Sequence, residues 1–167
     1  MTNTLTYKDI EKVALTRFPE TGKLVEQTFG SYYDLTSEVP AAYPIFEDVI
    51  QELIFELLDA RKDDYLLRRI FVFLEEMADS NDKEVVNLLW ITVLEPLVSN
   101  HERIRRAWEF MGPRTRSLSK EIAQSRGRYE GLPRPNPIIR KVQLSRCRRG
   151  RSWSRRPFHS IRRQRCS

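Results

Sequence analysis

The sequence predicts an all-α fold, a compact bundle of six or seven helices followed by a basic tail. Apolar residues recur every three or four positions through most of the first 125 residues, which is the spacing of an amphipathic helix. Proline, glycine, aspartate and asparagine cluster between these stretches, where they end helices and turn the chain. The chain has 167 residues, of which 40% are apolar, enough for the core of one ordinary domain.

The charge distribution divides the chain into two unlike parts. Residues 1–125 carry 15 Lys and Arg against 22 Asp and Glu, whereas residues 126–167 carry 14 against one. The net charge of +6 therefore combines a part of −7 with a part of +13. We predict an acidic all-helical domain over residues 1–125 and a disordered tail, rich in Arg, Ser and Pro, over residues 126–167.

The first three helices are predicted from their apolar stripes. One stripe contains Ile10 and ends at Phe18, because the proline that follows disfavours helical geometry in the residue before it. A weaker stripe over residues 24–29 fits either a short helix or a loop. A third and broader stripe runs to Leu58. Pro44 lies at its start, in the first turn of the predicted helix, where a missing N–H costs nothing.

The later helices follow in the same way. A stripe over residues 64–77 has apolar residues on a second side, which predicts burial on more than one face. The next stripe contains Pro96, which either ends the helix or kinks it. A helix over residues 101–111 stops at a Gly-Pro pair, and a last helix over residues 113–125 shows only two apolar anchors, so we expect it to lie on the surface.

The stretch MADSNDKEVV, residues 77–86, is predicted to turn the chain between two antiparallel helices that form a hairpin. Its Ser-Asn-Asp triplet holds turn and capping residues, with Asp82 as the N-cap of the second helix. From Asp79 onward the order of residues imitates a calcium loop. However, one ligand position is Lys83 and the position of the obligatory glycine is Glu84, so the pattern predicts a turn and not a metal site.

Neither catalysis nor a cofactor is predicted. The sequence shows no nucleophile elbow, no glycine-rich loop before a helix and no zinc spacing among its two cysteines and two histidines. Glu95 lies within an apolar run, and we expect it either partly buried in an ion pair with an arginine such as Arg103 or Arg106 or exposed at a kink. No apolar run reaches the ~20 residues of a membrane span, and the N-terminus does not resemble a signal peptide, so we expect a cytoplasmic protein.

The basic tail is a candidate site for polyanions. Arginines neutralise phosphates, and aromatic side chains stack on unpaired bases, which favours association with nucleic acid. Two other interpretations stay open: a solvated tail that binds polyanions without specificity, and sequence from another reading frame whose bias reflects base composition. The candidate residues are Arg148, Arg149, Arg151, Trp153, Arg155, Arg156, Arg162 and Arg163.

Two stretches carry a resemblance to a known family. These are RRIFVFLEEMADSNDKEVVNLLWITVLEPL, residues 68–97, and AWEFMGPRTRSL, residues 107–118. Together they resemble a group of small bacterial all-helical proteins classed as a domain of unknown function. The shared parts are an acidic pair, an "xxEVxNL" helix that ends in "LE", and a "GP-T/S-R" corner. The resemblance covers residues 18–125 and not the tail, and it implies a compact helical fold without implying an activity or catalytic residues.

The resemblance also suggests a kind of function. Members of the group are similar in size and acidity to immunity proteins, which neutralise bacterial toxins. By analogy, an acidic face would be steered to a basic nuclease site and would block it. We therefore expect a protein-binding module without catalysis, and the alternative is association with nucleic acid through the tail. The candidate contact residues are Glu47, Glu52, Glu56, Glu75, Glu76, Asp79 and Asp82.

Overall fold

The computed structural model describes residues 5–30, 42–127 and Leu132, and each secondary-structure element in this part of the chain is helical. The chain divides into two units, Met1–Pro133 and Arg134–Ser167. Apart from Arg126, Gly127 and Leu132, the predicted disordered tail lies outside the described residues, and so do all of its candidate polyanion-binding residues. The domain boundary predicted at residue 125 therefore stays a prediction.

The described residues form a bundle of helices, and two of the helices contain a wide π-helical turn. Three elements, α3 (Ala42–Ile45), a π turn (Phe46–Ile50) and α4 (Gln51–Ala60), follow one another without a break, and we call them together the 42–60 helix. In the same way, α6 (Lys83–Leu89), a second π turn (Trp90–Leu94) and α7 (Glu95–Ser99) form the 83–99 helix. Counted this way, the described residues contain seven helices, which confirms the predicted all-α bundle. The elements are α1 (Tyr7–Arg17), a 3₁₀ turn (Pro19–Thr21), α2 (Gly22–Phe29), α3 (Ala42–Ile45), a π turn (Phe46–Ile50), α4 (Gln51–Ala60), α5 (Asp64–Ala78), α6 (Lys83–Leu89), a second π turn (Trp90–Leu94), α7 (Glu95–Ser99), α8 (His101–Ala107) and α9 (Pro113–Ser125).

One hydrophobic cluster joins the helices of the described unit. The predicted apolar stripes supply its residues, and α5 is buried on more than one side, as expected, through residues such as Leu66 and Phe73. Phe73 is almost fully buried, and its ring contacts that of Phe18 edge to face at 5.5 Å and that of Phe46 at 6.4 Å. The aromatic contacts therefore tie α5 to the end of α1 and to the 42–60 helix.

The 83–99 helix continues through Pro96. In the wide turn before it, the N–H of Glu95 donates to the carbonyl of Trp90, five residues earlier. Pro96 comes directly after this change of register, in the first turn of α7, and the helix runs on to Ser99. A proline is tolerated there because its missing N–H falls where the α-helical bonding pattern is already interrupted.

The last two helices differ from the prediction. The sixth helix, predicted over residues 101–111, ends at Ala107 as α8, and the next three residues form a turn. The expectation that α9 lies on the surface was wrong. It packs against α5 and α7 and buries Thr115 and Ser119 together with two apolar residues. The hydroxyl groups of these two residues form hydrogen bonds within the fold, so polar residues can occupy the buried side of α9. For this reason the burial of α9 could not be predicted from apolar residues alone.

Candidate protein-binding face

Three of the predicted contact residues lie on the 42–60 helix and face solvent. Glu47, Glu52 and Glu56 are exposed, as is Asp48 beside them. The opposite side of this helix is fully buried in the core, through residues that include Phe46, Val49, Ile50 and Ile54. We call Glu47, Asp48, Glu52 and Glu56 the acidic face. It is presented by a helix whose position is set by the packing of its other side.

The acidic face lacks cations of its own. Residues 42–60 contain no Lys or Arg, and within the described part of the chain the four carboxylates form no hydrogen bond or ion pair. Glu52 acts only through space: it contributes to the raised pKa of Arg103, which is due mainly to the hydrogen bond from Arg103 to Asp59. Like charges four residues apart on a helix, such as Glu52 and Glu56, are destabilising. The contacts among the four carboxylates themselves therefore do not stabilise the fold.

Glu75, by contrast, is a structural residue at the start of α9. Its carboxylate accepts bonds from the backbone N–H of Arg114 at 2.6 Å and from both the backbone N–H and the hydroxyl of Thr115 at 3.0 and 2.8 Å. These N–H groups belong to the first turn of α9, where no carbonyl of the helix can reach them. Glu75 therefore caps α9 from a different helix, α5, and a negative charge is favourable at that helix end.

The corner before α9 is shaped by this cap. A methyl group in place of the hydrogen of Gly112 would overlap the Glu75 carboxylate, so only glycine lets the carboxylate approach so closely. Pro113 then occupies the first position of α9, where a missing N–H has no cost. Glu75 and the Gly-Pro corner, which are about 40 residues apart in sequence, form one junction.

The other acidic residues at the end of α5 form ion pairs with neighbouring helices. Glu76 binds Arg17 of α1 at 2.6 Å, and Asp79 binds Arg114 of α9 at 3.0 Å. Both pairs are solvent-accessible, with the side chain of Glu76 43% exposed and that of Asp79 65% exposed. Exposed pairs of this kind contribute at most about 1 kcal/mol each. Their charge is nevertheless already compensated within the fold.

Asp82 caps two helices at once. Its Oδ1 accepts a bond from the N–H of Glu84 in α6 at 3.0 Å, which confirms the predicted N-cap. Its Oδ2 accepts a second bond, at 2.8 Å, from the N–H of Tyr7 at the start of α1. In the same turn, the hydroxyl of Ser80 donates to the carbonyl of Leu5. Asp82 and Ser80 of the MADSNDKEVV stretch thus join the α5–α6 turn to the N-terminal end of α1.

Glu95 forms an ion pair with an arginine, as one of the alternatives had it, but not with either of the two arginines named as examples. Glu95 binds Arg126 at 2.7 Å, just after α9, and accepts a hydrogen bond from the indole N–H of Trp90. Those two arginines, Arg103 and Arg106, bind Asp59 and Asp64 respectively. The sequence could not distinguish among these arginines, because the choice depends on where the end of α9 comes to lie.

A cavity of about 620 Å³ lies between α4 and α8, and its lining is mixed in charge. Arg103 of α8 donates to Asp59 of α4 at 2.6 Å and lies 4.1 Å from the ring centre of Phe55. The hydrogen bond from Arg103 is the main cause of the lowered pKa of Asp59. Asp59 is therefore the acid of the 42–60 helix that has a cation, and the pair serves to hold α8 against α4.

The described residues show neither a cluster of metal-binding side chains nor a helix that could span a membrane. No group of three or more His, Cys, Asp or Glu side chains in that part of the chain could hold a metal ion. None of the helices found there is both long and apolar enough to cross a membrane.

Residues 12–127 match a protein family described as a domain of unknown function, DUF7674. The chain belongs to this family. The match confirms the resemblance predicted over residues 18–125. A search of the curated proteins and a search of the solved structures found no significant match.

The structure gives physical roles to the sequence parts that carry the resemblance to the family. The acidic pair and the Gly-Pro corner meet at the cap of α9, and the end of the "LE" segment forms the ion pair with Arg126. Asn87 of the "xxEVxNL" helix donates its amide to the hydroxyl of Tyr43, which links the 83–99 helix to the 42–60 helix. These parts of the DUF7674 domain therefore stabilise the fold, whereas the acidic face is not among them.

Proposed function

We propose that this DUF7674 protein is a non-catalytic protein-binding module whose acidic face binds a basic surface of a partner protein. The observation that carries the proposal is the set of four exposed carboxylates, Glu47, Asp48, Glu52 and Glu56, on a helix without a single Lys or Arg. In the described part of the chain they have no ion-pair partner, so their charge is available to another molecule.

The placement of these acids suits a binding surface better than a stabilising one. Their mutual repulsion costs stability, while the buried back of the same helix fixes their positions before a partner arrives. A preorganised charged surface loses little conformational freedom on binding. It also attracts an oppositely charged partner over distance, which raises the association rate and makes that rate fall with salt.

Toxin neutralisation is the specific form of binding that we propose. A nuclease that cleaves nucleic acid presents a basic surface, and an acidic helix laid across that surface excludes the substrate by occupying the same charges. Support comes from the acidic face and from the similarity in size and acidity between the family and immunity proteins. In this role the protein would act in the bacterial cytoplasm, where an immunity protein meets its toxin.

Affinity capture with charge-matched variants tests the proposal. The full chain, the double variant Glu52→Lys/Glu56→Lys and the control Glu26→Lys/Glu109→Lys are used as baits in lysate of the source cells. All four positions are exposed, and both variants change the net charge equally, so attraction through the basic tail changes equally in both. We expect one defined basic protein to bind the wild type and the control and to be lost from the Glu52/Glu56 variant.

Three results would decide for or against this proposal. Protection of cells by co-expression against the captured protein, when that protein is toxic alone, would support the specific role in neutralisation. Equal loss from both double variants would show that binding depends on net charge only and not on the acidic face. Capture that persists in the Glu52/Glu56 variant would exclude the acidic face as the binding surface.

The charge of the C-terminal part supports a second candidate function, association with nucleic acid. Residues 126–167 carry 14 Lys and Arg against one acid, with Trp153 and Phe158 among them for stacking. Binding of the full chain to a single-stranded oligonucleotide would then weaken with salt, by a slope of about −0.7 per phosphate contact. Replacing Arg155 and Arg156 by Gln would reduce that slope, whereas Glu52→Lys would not.

A further inference from the structure

A groove of about 390 Å³ runs along the outer side of α5. Its charged lining residues are arginines, whereas those of the acidic face are carboxylates. Phe18 and Phe73 form its floor, and both are almost fully buried. Tyr65 and Val72 of α5 form part of its rim. They are 73% and 61% exposed, and they are seven residues apart, two helical turns on one face.

Exposed apolar side chains of this size are uncommon in the described part of the chain. Tyr65, Val72 and Ile91 are the large apolar residues found exposed there, and two of the three belong to this groove. Isolated exposed apolar residues are common on protein surfaces. Two that border the same apolar floor form a continuous apolar patch, and such a patch is typical of a site that another molecule covers. Tyrosine and arginine side by side are also typical of the energetic centres of protein interfaces.

The three arginines of the groove differ in their partners. Arg17 binds Glu76 at 2.6 Å and Arg69 binds Glu20 at 2.7 Å, so each is neutralised locally. Arg68 forms no ion pair within the described residues and instead lies over the ring of Phe110, 5.3 Å from its centre. The groove therefore presents one uncompensated cation beside an apolar surface.

We propose that this groove binds a segment of another protein that places an apolar side chain between Tyr65 and Val72 and a carboxylate on Arg68. Charge complementarity determines the chemistry of the partner: one free cation next to apolar area fits one carboxylate next to an apolar side chain. A nucleic acid fits less well, because its phosphates would meet only one uncompensated cation and gain little from the release of counterions.

The groove is independent of the acidic face. It lies on α5, not on the 42–60 helix, and it selects an acidic and apolar segment, whereas the acidic face selects a basic surface. The module would therefore hold two partners, or two parts of one partner, of opposite charge. Failure of either proposal leaves the other standing, since the residues and the probes differ.

The test uses the ¹⁵N-labelled full chain and three short helical peptides. The first peptide carries two leucines one turn apart, each with a glutamate four residues away; the second has lysine for glutamate, and the third has serine for leucine. We expect the first peptide alone to shift the backbone amide signals of residues 65–73 at concentrations that leave the other two without effect there. Attraction of the glutamates to the basic tail does not interfere, because the measurement is specific to these amides.

Matched variants sharpen the result. Val72→Asp and Arg68→Glu should each weaken the binding of the first peptide about tenfold, the usual loss at an interface centre. Ile91→Asp and Arg105→Glu place the same changes at exposed positions of other helices, and they should leave the affinity unchanged within about twofold. Far-UV circular dichroism of each variant verifies that its helices are retained.

Several results would overturn the proposal. One is the absence of shifts at residues 65–73 with the first peptide, and another is an equal effect of the control variants. A single-stranded oligonucleotide that shifts these amides when the peptide does not would assign the groove to nucleic acid. Self-association of the full chain in sedimentation equilibrium that Val72→Asp abolishes would assign the groove to a second copy of this chain.

Discussion

The end of α5 and the outer side of the 42–60 helix carry the same kinds of residue and use them in opposite ways. At the end of α5, Glu75 caps α9 and Glu76 binds Arg17. On the 42–60 helix, Glu52 and Glu56 face solvent with no ion pair in the described part of the chain. Both sets are acids on an amphipathic helix. What separates them is whether a helix end or an arginine of another element lies beside them.

Among the substitutions that test this contrast, the largest change in the free energy of unfolding is expected at Glu75. Glu75→Ala removes three hydrogen bonds to the first turn of α9 and leaves the partly buried N–H of Thr115 without a partner. We expect the free energy of unfolding to fall by about 3 kcal/mol. Urea unfolding followed by circular dichroism measures it, with Glu56→Ala as the control that should change little. Equal costs at the two positions would remove the distinction between the regions.

A substitution of Gly112, on the other side of the same junction, should also lower the free energy of unfolding. Gly112→Ala places a methyl group against the Glu75 carboxylate, and we expect a cost of about 2 kcal/mol from the displaced cap. In a Glu75→Ala background the methyl group meets no carboxylate, so the added cost of Gly112→Ala should largely disappear. A double-mutant cycle from urea unfolding measures this coupling. Additive costs would mean that the two residues do not form one junction.

Asp82 should have the next largest effect, because it caps both α1 and α6. Asp82→Ala should lower the free energy of unfolding by about 1.5 kcal/mol, and Asp82→Asn, whose amide keeps only one accepting oxygen, by less. Hydrogen exchange of the amides of Tyr7 and Glu84 should speed up in Asp82→Ala. Faster exchange at Glu84 alone would show that the bond to α1 contributes nothing.

The next test concerns Asp59, the acid of the 42–60 helix that forms an ion pair within the described part of the chain. The bond from Arg103 lowers its pKa from the ordinary value of 3.8, so the folded state binds its proton less readily than the unfolded state. The stabilisation is therefore complete above pH 3.8 and is lost as pH falls through the folded-state pKa. Asp59→Asn should cost less than about 1 kcal/mol at pH 7, and this difference should vanish in acid. A difference independent of pH in urea unfolding would contradict this account.

The smallest change in the free energy of unfolding is expected for the acidic face, where the substitution should stabilise the protein. Glu52→Gln/Glu56→Gln removes a like-charge pair four residues apart on one helix, so we expect a gain of about 0.3 kcal/mol. The gain should shrink in high salt, which screens exposed charges. Thermal unfolding at low and high salt measures both effects. A clear loss of stability would mean that these acids have a structural role after all.

Much of the fold could be predicted from the sequence because helix formation here is local. The apolar stripe of α5, the proline after Phe18 and the Ser-Asn-Asp triplet ending at Asp82 each act within a few residues. The interior of α9 could not be predicted in this way. Thr115 and Ser119 are polar in the sequence, and only the helices packed beside them bury these side chains and satisfy their hydroxyls.

The candidate site was predicted only in part for the same reason. Acidity predicts all seven residues as candidates from the sequence, five of them on helices and Asp79 and Asp82 in the turn between two helices. Their separation into structural acids and a free acidic face depended on contacts between residues far apart along the chain, such as Glu75 with Thr115 and Glu76 with Arg17. The groove beside Tyr65 and Val72 was missed, because an exposed apolar residue at helical spacing looks like a core residue.

The sequence by itself therefore determined the helices, the turn before α6 and the division of charge between the two parts of the chain. These properties follow from side chains acting on their own neighbourhood, through periodicity, capping and composition. The tertiary structure alone decided which charges are compensated by contacts inside the fold and which are left uncompensated among the described residues. An ion pair or a cap between helices needs atoms within about 3 Å, and only packing brings residues from distant parts of the chain to that distance.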